Sequence, residues 1–218
     1  MIKICVVGTN QSGSTRLFNL VRLIYEKKGK TVYSGVLLKK KDINNNYDVF
    51  LSKVHDIPLE YMNDYNIKLL PIRNILDASI SSVIRFFPDN KENPTVYINS
   101  CIYNIYLLNK FKSYVDFIFR YENYSVYYIK KLCDVLNVNL NNNEILEIMK
   151  ELDNMHNSKD IVKNDDLSNE IYKKTLLSQN HNTSNGKTNK YIKLNPKILN
   201  EILKNNEILN FLEEHQYF

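Results

Sequence analysis

Five short, mostly apolar runs mark the first part of the chain: 2–7, 31–37, 48–54, 67–72 and 115–120. Their β-branched character without polar alternation predicts strands buried on both faces, as in a parallel sheet. Between them, apolar residues recur at helical spacing. Ser14 to Lys28 carries Leu17, Leu20, Val21 and Ile24 on one face, and Gly29 suits the residue that ends the helix. Residues 75–87 place Leu76, Ile80, Val83, Ile84 and Phe87 similarly, with Pro88 as the stop. A longer helix over 95–113 carries Val96, Ile98, Ile102, Ile105 and Leu108. This alternation predicts an α/β fold, a mostly parallel five-stranded sheet flanked by helices.

Beyond residue 122 the periodicity is helical throughout: 123–136, 142–154 and 196–215. The stretch 156–192 is polar, rich in Asn, Asp, Lys and Ser, and contains Gly186. It is expected to be a long mobile loop, placed as a lid over the site. The Asn clusters at 44–46 and 141–143 read as loop and helix-start residues. The chain is thus expected to be one domain over 1–218. Its core spans 1–125 and a helical C-terminal part spans 126–218.

Composition narrows the function classes. With 218 residues, 44% hydrophobic and 24% charged, the chain has the make-up of an ordinary globular domain. A net charge of +5 suits an anionic ligand, but is too small and too evenly spread to call for nucleic acid. Cys5, Cys101 and Cys133 lie far apart in apolar surroundings without metal-ligand spacing. They read as reduced core thiols, and no metal is expected. No basic-then-apolar leader opens the sequence, and no apolar run approaches the roughly 20 residues of a spanning helix. A cytoplasmic protein with no membrane partner is the expectation, and the sequence carries no signal of oligomeric state.

Directly after the first strand stands Gly8-Thr9-Asn10-Gln11-Ser12-Gly13-Ser14-Thr15. The spacing is that of G-x-x-x-x-G-K-S/T, a loop whose backbone N–H groups wrap a phosphate at a helix N-terminus. Ser14 occupies the lysine position. A cradle without that charge suits a ligand less anionic than a nucleoside triphosphate. The plainer alternative is a helix cap by Ser12 or Ser14, with Gly13 easing the turn.

Two more strand ends carry chemistry. The third strand ends Lys53-Val54-His55-Asp56, which offers a titratable imidazole as general base; a solvated loop is the alternative. The fourth ends Leu70-Pro71-Ile72-Arg73-Asn74, followed by Asp77, Ser81 and Arg85. Arg73 and Ser81, about two helical turns apart, can converge on one phosphate. Alternatively Arg73 pairs with Asp77 and Ser81 faces solvent.

In this order the motifs resemble those of the sulfotransferases that use 3′-phosphoadenosine 5′-phosphosulfate (PAPS). The family's phosphosulfate loop, Lys/Arg-Ser-Gly-Thr-Thr after the first strand, is matched by Ser12-Gly13-Ser14-Thr15. Its Lys-x-His is matched by Lys53-Val54-His55, and its 3′-phosphate motif by Arg73, Asn74, Asp77 and Ser81. A strand ending Tyr-Glu near the adenine is matched by Tyr121-Glu122. The C-terminal glycine- and lysine-bearing loop before an aromatic is matched loosely by Gly186-Lys187-Thr188-Asn189-Lys190-Tyr191. The resemblance covers 1–125 closely and the tail weakly.

It implies a P-loop-like fold and transfer of a sulfuryl group from PAPS to an acceptor hydroxyl or amine, with adenosine 3′,5′-bisphosphate (PAP) as product. By implication His55 is the general base, with Asp56 as fallback, while Lys53 and Gln11 stand beside the transferring group. Gln11, Ser12, Gly13, Ser14, Thr15 and Arg16 would hold the 5′ end. Arg73 and Ser81 would hold the 3′-phosphate, Lys187 would belong to the cofactor site, and Tyr121 would lie by the base. The expected partner is a small-molecule or saccharide acceptor, with no residue pattern naming which. One position departs from the family: Gln11 stands where Lys or Arg is usual, so it donates a hydrogen bond without a charge. Arg16 and Lys53 are the nearest substitutes. The alternatives are a catalytically weak or inactive PAP/PAPS-binding protein, and a degenerate P-loop kinase or NTPase. The last should show an Asp-ended strand for magnesium, which these strands lack.

Overall fold

The computed structural model describes residues 1–36, 46–157, 168–178 and 188–217. Five strands form one sheet: β1 (Ile2–Val7), β2 (Val32–Val36), β3 (Val49–Val54), β4 (Ile67–Ile72) and β5 (Phe117–Arg120). All pair in parallel, in the order β2-β3-β1-β4-β5. The chain winds to one side of β1 and then crosses it to build the other. That leaves a crevice above the carboxyl ends of the central strands.

Strand alternation sorts the core into two layers. Ile4, Val6, Val49, Leu51 and Leu69 face α1 (Ser14–Lys27), α4 (Val126–Val135) and α5 (Asn142–Asn157). Cys5, Val7, Phe50, Leu70 and Ile72 face α2 (Ile75–Phe86) and α3 (Pro94–Phe111), with α7 (Pro196–Leu203) and α8 (Asn206–Glu214) behind. α2 and α3 run antiparallel: Ser79 Oγ donates to Tyr97 O (2.9 Å), and Cys101 Sγ reaches Ile75 O (3.6 Å). The three cysteines are free and buried, as the sequence predicts.

Several boundaries differ from expectation. The helix predicted over 123–136 is a 3-10 turn at Tyr121–Asn123 followed by α4, which starts where the Ser125 side chain accepts the Tyr128 N–H. The predicted 196–215 helix is two helices, because Asn205 caps α8 through the Ile208 amide. The polar 156–192 stretch is not one uninterrupted loop: it contains α6 (Glu170–Thr175), started by the Asn169 cap. Tyr172, Thr175, Leu176 and Leu177 behind that cap are buried. Ser34 of β2 donates to Lys174 O (2.9 Å), so this segment docks on the sheet edge.

Asn19 ties α6 to the site-bearing helix. Fully buried, it donates through Nδ2 to Thr15 O (3.0 Å) and to Thr175 O (2.7 Å). Asn19→Ala strands the Thr175 carbonyl in a dry place, so we expect urea unfolding to show a loss of about 2 kcal/mol. Protection of the 168–178 amides should fall first. An unchanged midpoint would mean that this bridge holds nothing.

Candidate functional site

The loop after β1 depends on a missing side chain. A Cβ on Gly8 would lie 2.6 Å from the Ser14 Cβ, so the chain can fold back over its own strand end only with glycine there. Ser12 closes the turn, its amide (3.4 Å) and hydroxyl (2.9 Å) both donating to Thr9 O. Gln11 (φ 59°) and Gly13 (φ 87°) take left-handed backbone. A Cβ on Gly13 would meet Tyr121 Cδ2 at 2.4 Å, so the Tyr121 ring lies directly against the loop.

α1 starts without a side-chain cap. Its first ladder bond is Leu17 N–H to Gly13 O (3.0 Å), so the amides of Ser14, Thr15 and Arg16 precede the ladder. By contrast Asn74, Asn93, Ser125, Asn169, Asn195 and Asn205 each cap their helices with a side chain. Uncapped amides at the positive end of a helix form an anion cradle.

Charge reaches this cradle from a neighbouring strand. Lys53, buried at the end of β3, donates from Nζ to Thr15 Oγ1 at 2.8 Å. Strand parity puts Lys53 on the α1 face, beyond Val49 and Leu51. Arg16, the other candidate for the charge absent at Gln11, is engaged elsewhere. Its guanidinium lies 4.2 Å from the Tyr124 ring centroid and pairs with Asp153 of α5 at 2.5 Å.

His55 sits above β1. Its Nδ1 is 2.8 Å from Gly8 O, and a carbonyl can only accept, so Nδ1 carries the proton and Nε2 presents its lone pair. Burial, helped by the Lys53 ammonium and by Arg85, pushes the imidazole down to about 4. It is therefore neutral at pH 7. Asp56 points to a different neighbour, pairing with Lys110 of α3 at 2.5 Å.

A second cluster lies across the crevice. Arg73, buried just past β4, lies 4.9 Å over the Tyr121 ring and 3.8 Å from Asp77. Ser81, one turn beyond Asp77, donates to Asp77 O (2.7 Å) and accepts from Lys190 Nζ (2.7 Å). Asp77, fully buried, accepts the backbone amides of Asn189 (2.6 Å), Lys190 (2.6 Å) and Tyr191 (3.3 Å). The Arg73–Asp77 pair of the plainer reading forms, but Ser81 is buried and turns inward rather than to solvent. Burial first, then the nearby Arg73, lowers the Lys190 ammonium to about 8, against the opposing pull of Asp77. Glu122 Oε1 accepts the Asn74 amide (2.8 Å), which locks the ends of β4 and β5 together.

Of the residues expected in the site, Gln11 to Thr15, Lys53, His55, Arg73, Ser81 and Tyr121 gather round this crevice. Ser12 holds the loop closed, while Arg16 leans onto α5. Lys187 lies outside the described residues. Lys190 is the residue that sequence reasoning did not select; its signal was its place directly before Tyr191 in the loosely matched loop. Among the described residues, no group of three or more His, Cys, Asp or Glu could hold a metal ion. No described helix is long and apolar enough to cross a membrane.

No protein-family model matches this chain, and no curated protein matches its sequence. In three dimensions it is similar to a crystal structure of mouse sulfotransferase SULT7A1 complexed with PAP. The match has a TM-score of 0.68 at 14% identity, covering 99% of this chain and 88% of that one. The chain therefore has the sulfotransferase fold.

The His55 environment makes an acid-stability prediction. A folded value near 4 against 6.5 unfolded means that the unfolded chain binds the extra proton between those values. Stability should be intact above about pH 6.5 and fall as pH drops toward 4. Urea unfolding at pH 7 and pH 4.5 checks this: His55→Gln should show a smaller loss than wild type. An equal loss would place the acid sensitivity elsewhere.

Proposed function

We propose that this chain is a sulfotransferase, moving the sulfuryl group of PAPS in line to an acceptor hydroxyl or amine. One arrangement supports it above the others: two separate cation-bearing clusters, Lys53 at the α1 loop and Arg73 with Lys190 at Ser81, flank the Tyr121 ring. The α1 loop with Lys53 suits a 5′-phosphosulfate, and Arg73, Ser81 and Lys190 suit a 3′-phosphate. A nucleoside triphosphate needs the first cluster but has nothing for the second. Tyr121, lying between loop and Arg73, offers its ring as a surface for the adenosine.

The residues then divide the work. Loop amides of Ser14, Thr15 and Arg16 orient the 5′ end, and Arg73, Ser81 and Lys190 fix the 3′ end, so that the donor is positioned before reaction. His55 Nε2 takes the acceptor proton as the acceptor–sulfur bond forms. The bond from sulfur to the bridging oxygen breaks, and its electron pair stays on that oxygen. Lys53 offsets the developing charge. The transition state is treated as loose by analogy with phosphoryl transfer, so charge and position carry most of the catalysis. A bound anionic donor also counters the Lys53 and Arg85 charges at His55, raising the imidazole toward the useful range.

Gln11 motivates a second reading, a PAP-binding protein with little or no turnover. Sulfate transfer from labelled PAPS to a panel of hydroxyl and amine acceptors separates the two. In the enzyme reading, transfer occurs and His55→Ala lowers it by about 10²-fold or more while PAP affinity stays within about threefold. PAP binding with no transfer to any acceptor supports the second reading. Full activity in His55→Ala would remove His55 as the base.

The lowered Lys190 value gives a pH test of the 3′ cluster. Below about 8 its ammonium is charged and binds phosphate; above that value it loses the proton, so PAP affinity should decline with rising pH. Calorimetry from pH 7 to 9.5 should show the decline in wild type. Lys190→Arg should remain tight throughout, and Lys190→Ala should be weak and nearly flat. A wild-type affinity that is level to pH 9.5 contradicts the role given to Lys190.

A further inference from the structure

Asp77 and Ser81 meet the 189–191 turn. Arg85 lies toward His55, whose protonation it opposes. Ile80 and Ile84 wall a cavity of about 430 Å³ together with Tyr97, Leu194 and Ile198. Lys91, Lys190, Lys193 and Glu92 also border it, three ammonium groups against one carboxylate. The volume falls in the range of small-molecule sites, about 300–1,000 Å³. Ile84 is 39% exposed, and Lys91 and Lys193 are exposed, so solvent reaches the mouth.

Walls and rim ask for different chemistry. The isoleucines and Leu194 offer no partner to a buried polar group, so the wall they form favours an apolar body, and the polar residues, Asn195 among them, stand at the border. The cationic surplus selects an anionic end and leaves a neutral amphiphile without a charge partner. Together they fit one ligand class, a flexible apolar chain ending in a carboxylate. Lys190 belongs to this wall and also donates to Ser81, so the cavity and the 3′ cluster share a side chain.

We infer that this cavity binds a medium-chain carboxylate of the fatty-acid type, its chain against Ile80, Ile84 and Ile198 and its head on Lys193 and Lys190. A head group that draws Lys190 from Ser81 weakens the 3′ cluster, so carboxylate and nucleotide bind with negative coupling. The coupling rests on the nucleotide reading given above; binding of the carboxylate does not.

Calorimetric titration of the full chain with hexanoate, octanoate and decanoate tests this, with octanol as the neutral control. Affinity should rise with each added methylene by up to about fourfold. Octanol should bind at least tenfold more weakly than octanoate. Lys193→Glu, outside the catalytic machinery, should weaken octanoate at least tenfold while leaving PAP affinity within about twofold. Saturating octanoate should weaken PAP about threefold or more and then level off, with PAP weakening octanoate by the same factor. No carboxylate binding at millimolar concentration would overturn the inference. So would equal binding of octanol and octanoate, or indifference to Lys193→Glu. A PAP dissociation constant that climbs without levelling would place octanoate in the nucleotide site itself and also overturn it. If PAP fails to bind at all, the nucleotide reading fails alone, because the chain-length series and Lys193→Glu still decide this proposal.

Discussion

The site hangs on one buried carboxylate. Asp77 is shielded from water in the first turn of α2, where the helix N-terminus favours negative charge. A carboxylate in such a place costs several kcal/mol unless its lone pairs are filled. Here three consecutive backbone amides fill them, from a turn more than one hundred residues away in sequence, and Arg73 stands beside it. That grip places Lys190 against Ser81. Without it, the backbone of the 189–191 turn would lose its anchor on α2, leaving the Lys190–Ser81 bond and the packing of Tyr191 and Leu194 on the core.

The sheet supplies the other half by parity alone. Lys53 and Val54 are adjacent in sequence but belong to opposite faces, so the lysine reaches α1 while the valine enters the α2 core. One residue further, past the strand end, His55 reaches Gly8 O. A cradle that has Ser14 instead of a loop lysine thus still receives a cation, from a different element. The charge is also more distant from Gln11 than a basic residue at position 11 would be. In the proposed transfer the leaving oxygen therefore depends on Lys53 for its charge.

Much of this was legible in the sequence, because it rests on local signals. Strand ends at Val7, Val54, Ile72 and Arg120 follow from short apolar runs, and the loop follows from glycine spacing. What escaped depends on distant partners. Helix α6 is six residues in a polar stretch, and the burial of Tyr172 and Leu176 beneath α1 and β2 leaves no local signal. The two C-terminal helices read as one because the apolar spacing runs on across Asn205, whose side chain starts α8. Choosing among Lys187, Lys190 and Lys193 required knowing where Asp77 grips the backbone, which no local pattern encodes.

The central claim is that the crevice recognises two phosphates on one nucleoside. The most direct measurement compares the affinities of PAP and adenosine 5′-monophosphate by calorimetry. The two ligands differ only in the 3′-phosphate. Charge-assisted hydrogen bonds from Arg73, Ser81 and Lys190 contribute about 1.5–3 kcal/mol each before losses, so PAP should bind at least about 100-fold more tightly. Equal affinities for the two would contradict the account, because the second cluster would then hold nothing.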